Sequence, residues 1–169
     1  LDQYNIKAEA TSTIRTGLSR FTFPAGESHI LLNLGLSLTN ETGGMVRIVS
    51  DTEIEGHRTI GTFCYSAQDV RPVYFVIRFS KAAKHFGAWK KMPPFRGVEK
   101  DWVAYNDTIK PYPGYQFPLS GDQVGTYFSF DTDEQEQILV KVGISYVSIA
   151  NARENLEVEQ PRFQFEATR

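Results

Sequence analysis

Asp51, Glu53 and Glu55 stand at i, i+2 and i+4, a spacing that puts three carboxylates on one face of an extended strand. Such a set could bind a hard cation or supply an acid/base pair. Alternation along any half-exposed strand gives the same pattern, so a solvated strand face is the plainer reading. His57 and Arg58 follow in EIEGHRTIG. Read as a Gly-His-Arg turn, they would offer polar donors to a sugar or a carboxylate; a structural turn with an exposed arginine is the alternative. Cys64 in GTFCYS would need an adjacent base or cation to act as a nucleophile. His29, His57 and His85 show neither a pairing with it nor metal-ligand spacing, so a buried thiol is expected. Between 86 and 121, Phe86, Trp89, Phe95, Trp102, Tyr105, Tyr112, Tyr115 and Phe117 sit among prolines and glycines. These aromatics could stack on pyranose rings or pack a long loop onto the body of the domain. The chain has no phosphate-binding glycine loop, no zinc signature and no Gly-x-Ser-x-Gly elbow.

The elements that must position these groups read as strands. Tyr4 to Ile14 alternates, as do Ile30 to Leu38, and Val46 and Ile48 begin a third strand running towards Ile54. VYFVIRF (73–79) is apolar on both faces until Arg78, as expected of a strand between two layers. Residues 124–130 and 138–146, joined by turn formers, read as a hairpin. Within 86–121 only Asp101 to Asn106 looks strand-like, so the stretch reads as a long structured loop of the kind that often carries function. The period changes near the end. Ser148 is an N-cap candidate, Ile149, Ala152 and Leu156 form a narrow apolar helical stripe, and Pro161 stops it. The fold class is all-β, an antiparallel β-sandwich ending in a short α-helix.

With 169 residues and 41% apolar content, the chain has the size and composition of one globular domain. Its 18 basic against 20 acidic residues argue against nucleic acid as a partner. No apolar run is long enough for a membrane-spanning helix. Cys64 stands alone, which excludes an internal disulfide. The chain starts at Leu1 without a signal segment, as a processed or excised chain would.

Three stretches carry a resemblance: TEIEGHRTIGTFC (52–64), PVYFVIRFSKAAKHFGAW (72–89) and VKVGISYVSIANARENLEVE (140–159), with IRTGLSRFTFP (14–24) upstream. In that order they resemble the N-terminal domain of glycoside hydrolase family 92, bacterial exo-acting α-mannosidases, many of them cutting α-1,2 linkages. The resemblance covers nearly the whole chain, least so at 90–121.

It implies a β-sandwich belonging to a galactose-mutarotase-like supersandwich, a helical connection, then an (α/α)6 catalytic barrel. It also implies inverting hydrolysis that needs Ca²⁺, with both catalytic carboxylates and most of the calcium site on the barrel. The expected division is a sandwich at 1–147, truncated at its N-terminus because family members open with an Asn-Pro-Phe-x-Gly-Thr-like motif. A linker helix at 148–160 and the start of a connection at 161–169 follow. No catalytic residue and no bound metal are expected in this chain. Its expected role is to support the barrel and to line the pocket for mannose-rich glycans, through Phe63, His57, Arg58, Cys64 and Trp89. The family location is periplasmic, cell-surface or secreted. A free-standing carbohydrate-binding module using the 86–121 aromatics and a purely structural interaction domain are the competing readings. With the barrel-facing surface uncovered, the isolated chain is expected to self-associate; strictly monomeric sedimentation at high concentration would count against it.

Overall fold

In the computed structural model, residues 1–35, 43–61, 70–91 and 108–169 are described. After a 3₁₀ turn at Asp2–Tyr4 come β1 (Lys7–Ser12), β2 (Thr16–Phe23), β3 (Gly26–Asn33), β4 (Gly44–Ser50), β5 (Glu53–Ile60) and β6 (Arg71–Phe79). Then follow β7 (His85–Lys91), β8 (Ile109–Pro113), β9 (Leu119–Gly121), β10 (Val124–Thr132) and β11 (Glu136–Ser145). Helices α1 (Ile149–Glu159) and α2 (Phe165–Thr168) close the chain. The strands form two antiparallel sheets, ordered β1-β2-β11-β6-β5-β4-β9 and β3-β10-β7-β8.

The sheets face each other across one core. Ile48 of β4, Ile54 of β5, Phe75 and Phe79 of β6, and Ile138 of β11 meet Val124, Phe128 and Phe130 of β10. Phe79 stacks on Phe128 with ring centroids 4.7 Å apart. Each such side chain contributes about 1.5–3 kcal/mol by leaving water.

A third layer covers the other face of the large sheet. On β6 the alternation sends Phe75 and Phe79 to the sandwich core and Val76 outward, against Ala152 and Leu156 of α1. VYFVIRF is therefore apolar on both faces because both faces are packed. Ser148 caps α1, its hydroxyl accepting the Asn151 amide at 3.1 Å. The helix lies so close to β11 that a Cβ on Gly143 would come within 2.3 Å of the Ala152 carbonyl oxygen. At the far end Lys141, 4% exposed, donates to the Gln160 carbonyl at 2.7 Å and lies 4.7 Å from the centre of the Phe163 ring. Burial pushes this lysine below its ordinary value. Arg20 lies over Phe165 of α2 at 4.2 Å and donates to Glu9 and Glu166. The Arg20 hydrogen bond holds the Glu9 carboxyl down at about 2.

Several elements differ from the sequence expectation. The first strand is Lys7–Ser12 rather than Tyr4 to Ile14. The strand expected from Val46 to Ile54 is interrupted by a turn at Asp51-Thr52, so Ile54 belongs to β5. The expected strand from Ile30 begins at Gly26, and its Ile30 and Leu32 are only half-buried because β3 is an edge strand. Leu36 and Leu38 lie outside the described residues. The segments 124–130 and 138–146 are strands but not a hairpin: β10 and β11 sit in different sheets, and 133–135 carries the chain between layers. Part of 86–121 is regular sheet, since β7, β8 and β9 fall within it. Asp101 to Asn106 lies outside the described residues.

Because α1 seats directly on the Gly143 backbone, Gly143→Ala should destabilise the domain by about 1–3 kcal/mol, as overpacking does. Urea unfolding measures the loss, and hydrogen exchange should show it first in the amides of 149–159. Wild-type midpoint and protection in the variant would refute the layered packing.

Candidate functional site

One end of the sandwich gathers the residues to which the sequence points. There β5 ends and β6 begins, with His57 registered against Tyr74 and Tyr74 against Ser145 of β11. β4 starts beside them, Gly44 facing Arg58 on one side and Gly121 of β9 on the other. The short link from β9 to β10 crosses to the smaller sheet, where Val124 pairs with Lys90 and Gly125 with Trp89. Phe63 and Cys64 lie outside the described residues.

The three described candidates point in three directions. Gly-His-Arg is not a turn but the middle of β5, so consecutive side chains alternate. His57 faces outward, its ring 5.8 Å from that of Tyr74. Its Nδ1 is buried without a hydrogen-bond partner among the described residues. Arg58 points into the sandwich, 9% exposed, and its Nη1 donates to the Asp122 carbonyl at 2.5 Å. Trp89 lies on the outer face of the smaller sheet. A Cβ on its partner Gly125 would come within 2.5 Å of the indole ring atoms, so the ring lies directly on the backbone. The Trp89 indole nitrogen is also buried without a partner among the described residues. Beside it Tyr127 covers Gly87 in the same way, a Cβ there lying 2.5 Å from the phenol oxygen. His57, Arg58 and Trp89 thus share an end of the sandwich but not a pocket.

Asp122, which no motif singles out, ties that end together. Its carbonyl accepts from Arg58, and its carboxylate accepts the Gly43 amide at 3.1 Å. Lys90 donates to the neighbouring Ser120 carbonyl at 2.8 Å. Cations from both sheets therefore hold the β9–β10 link. Gly121-Asp122 is a turn signal in the sequence, but its partners are distant along the chain and leave no local pattern.

The acidic face of β5 is occupied from within the protein. Glu53 accepts from Arg78 and Arg153, each at 2.6 Å. Glu55 accepts from Arg153 at 2.8 Å and from Arg47. Asp51 sits in the β4–β5 turn, exposed, apart from this network. Burial raises the Glu53 carboxyl, but the Arg78 and Arg153 hydrogen bonds outweigh it and hold Glu53 below the usual carboxylate value. Glu53 and Glu55 fasten α1 to the sheet rather than face water or a cation. Among the described residues no group of three His, Cys, Asp or Glu could hold a metal ion, and no helix is long and apolar enough to cross a membrane.

The family model for the glycosyl hydrolase family 92 N-terminal domain matches residues 1–145. Among solved structures, a family GH92 alpha-mannosidase from Bacteroides thetaiotaomicron superposes with a TM-score of 0.76 at 25% identity, over 99% of this chain and 21% of that one. The same enzyme in complex with mannoimidazole gives 0.72 at 26% identity, over 96% and 20%. A family GH92 inverting mannosidase from Bacteroides thetaiotaomicron VPI-5482 gives 0.71 at 14% identity over 96% and 19%, a likeness of fold. The chain thus spans about a fifth of the enzymes it resembles. No curated protein matches it significantly.

Glu53 has its carboxyl depressed in the folded state, so its stabilising contribution is present above the ordinary value of 4.5 and is lost as pH falls through the lower folded value. Acid titration of the unfolding free energy should show that loss below pH 4.5. Glu53→Gln should flatten it and lower stability at pH 7, since Arg78 and Arg153 then lose a charged partner. An unchanged acid limb in the variant would show that the arginine pairing carries no pH dependence.

Proposed function

Because the chain belongs to the glycosyl hydrolase family 92 N-terminal domain family, we propose that it is the non-catalytic sandwich of an exo-acting α-mannosidase. The single observation behind this is the family match over 1–145, joined to a fold shared with an α-mannosidase solved with mannoimidazole. The substrate class is mannose-rich glycans, with α-1,2 linkages preferred on the strength of the resemblance. The catalytic partner is an (α/α)6 barrel in the same polypeptide, reached through α1 and the segment after it.

In that enzyme the reaction inverts the anomeric centre. An acid and a base, both carboxylates, stand about 6.5–9.5 Å apart with a water between them. Neither comes from this chain in our reading. Ca²⁺, which supplies Lewis-acid chemistry when bound, belongs to the rest of the enzyme as well. The acidic pair present here, Glu53 and Glu55, does not fit it, because arginines already neutralise both. This chain supplies a wall of the sugar pocket. Trp89, its ring over Gly125 on the outer face of the smaller sheet, offers a hydrophobic face to a pyranose ring as a separate contact further along the glycan. His57 brings a ring nitrogen beside Tyr74, and Arg58 stiffens the rim through the Asp122 carbonyl. Phe63 and Cys64 are assigned to sugar contact by the family resemblance alone. The enzyme would work in the periplasm, at the cell surface or outside the cell, where such glycans are met.

A second reading, a free-standing carbohydrate-binding module, draws on the Trp89 and Tyr127 rings laid on glycine backbones of the smaller sheet. Mannobiose added to the 169-residue chain separates the two in NMR spectra. The enzyme reading expects no shifts from a half-built pocket. Shifts confined to residues 86–91 and 109–127 would establish the module instead. In the complete polypeptide, Trp89→Ala should lower kcat/KM about tenfold, the worth of one aromatic face. Unchanged kinetics would remove Trp89 from the substrate contacts, and absence of mannosidase activity in the complete polypeptide would sink the enzyme reading.

A further inference from the structure

Where β11 hands over to α1, four apolar side chains stand together in water. Ile14, at the tip of the β1–β2 turn, is 94% exposed; Tyr146 and Val147 are 65% and 72% exposed, and Ile144 is 37% exposed. They surround a depression of about 340 Å³ whose remaining walls are Arg15, Ser145, Asn151 and Asn155. Single exposed apolar residues are ordinary, but a contiguous cluster with a polar rim marks a surface that meets something.

The frame beneath the cluster is fixed. The Thr13 hydroxyl and the Arg15 amide both donate to Glu159, the latter at 3.0 Å, and Arg15 Nε adds a 2.6 Å bond to the same carboxylate. The Ile144 amide donates to the Arg15 carbonyl at 3.0 Å, and Asn155 donates to the Ile144 carbonyl at 2.8 Å. The Val147 amide is held by the Ser145 hydroxyl at 3.0 Å, one residue before the Ser148 cap. Ile14 is therefore held out on a braced turn. A surface ordered in advance loses little further conformational freedom on docking.

We infer that this patch is the docking surface for an apolar face of the domain fused to this one in the same polypeptide. The inference rests on the proposed function and adds to it the surface of contact. Two features choose that occupant. The chain spans about a fifth of the enzymes that share its fold, so such a domain is the largest body it would meet. The patch also lies at the end of the sandwich that holds His57 and Tyr74, since Ser145 pairs with Tyr74 and Tyr74 with His57. A body seated on Ile14, Tyr146 and Val147 is thereby placed next to the candidate rim. Hydrophobic contact with the patch brings its reactive groups to the sugar wall.

Hydroxyl-radical footprinting tests this on the complete polypeptide and on the 169-residue chain, both diluted until they sediment as monomers. Ile14, Tyr146 and Val147 should be modified several-fold less in the complete polypeptide. Equal modification in the two monomers overturns the inference. So does protection that appears only as the complete polypeptide dimerises, which would assign the patch to a second copy. A reading frame that encodes no further domain removes the proposed function and this inference together. Active mannosidase with an unprotected patch removes the inference alone. As a second measure, Ile14→Lys with Val147→Lys touches no core position and should leave the isolated chain's unfolding unchanged. In the complete polypeptide it should split one cooperative thermal transition into two. A single unshifted transition counts against the docking.

Discussion

Val76 can be buried only because a helix lies over it. The middle strand of the large sheet carries apolar side chains on both faces, and one sandwich core covers only one of them. Water against the other face would cost about 25 cal/mol for each Å² of apolar surface left uncovered. The chain meets this demand with α1, through Ala152 and Leu156, and the fit is close enough to require a glycine at 143. Arg153, placed between Glu53 and Glu55, then fixes the helix across the strands. Hydrophobic area supplies the attraction and the ion pairs supply the register. Charged pairs this close to an apolar interface add specificity more than net stability, because each loses its own hydration.

The seven-stranded sheet therefore belongs to two layers at once, and that decides how the ends of the chain behave. The segment after α1 does not leave the domain directly. Lys141 holds the Gln160 carbonyl, and Arg20 covers Phe165, so the backbone turns back over β2. The same anchoring fixes the β1–β2 turn through Arg15 and Glu159. The direction in which the polypeptide arrives at any following element is set by contacts inside this domain.

Much of this was legible in the residues, for reasons that also explain the misses. The two-sided apolarity of 73–79 and the stripe Ile149, Ala152, Leu156 report periodicity, which is local. The link at 133–135 was legible as a reversal but not as a change of sheet, because turn residues encode where a chain bends and not which neighbour it finds. Gly56 reads as turn punctuation, yet it serves close packing inside β5, where a Cβ would come within 2.1 Å of the Met45 carbonyl oxygen. Pro111 and Pro113 disguised β8 as loop. Proline is tolerated there because β8 is an edge strand, whose outer N–H groups have no sheet partner. Asp122 was invisible for a different reason: its worth lies in Arg58 and Gly43, both more than sixty residues away.

Adjacent residues of an extended strand cannot serve one ligand directly, since their side chains leave on opposite faces. His57 and Arg58 therefore divide the work. Arg58 turns inward and spends its charge on the Asp122 carbonyl, locking the link between the sheets, while His57 stays on the outer surface next to Tyr74. A rim built this way is stiff before any sugar arrives, because its buried cation Arg58 has a fixed internal role. Stiffness at the rim and apolar exposure at the neighbouring braced turn are complementary properties. The first holds the wall in place, and the second gives another body a reason to settle against it.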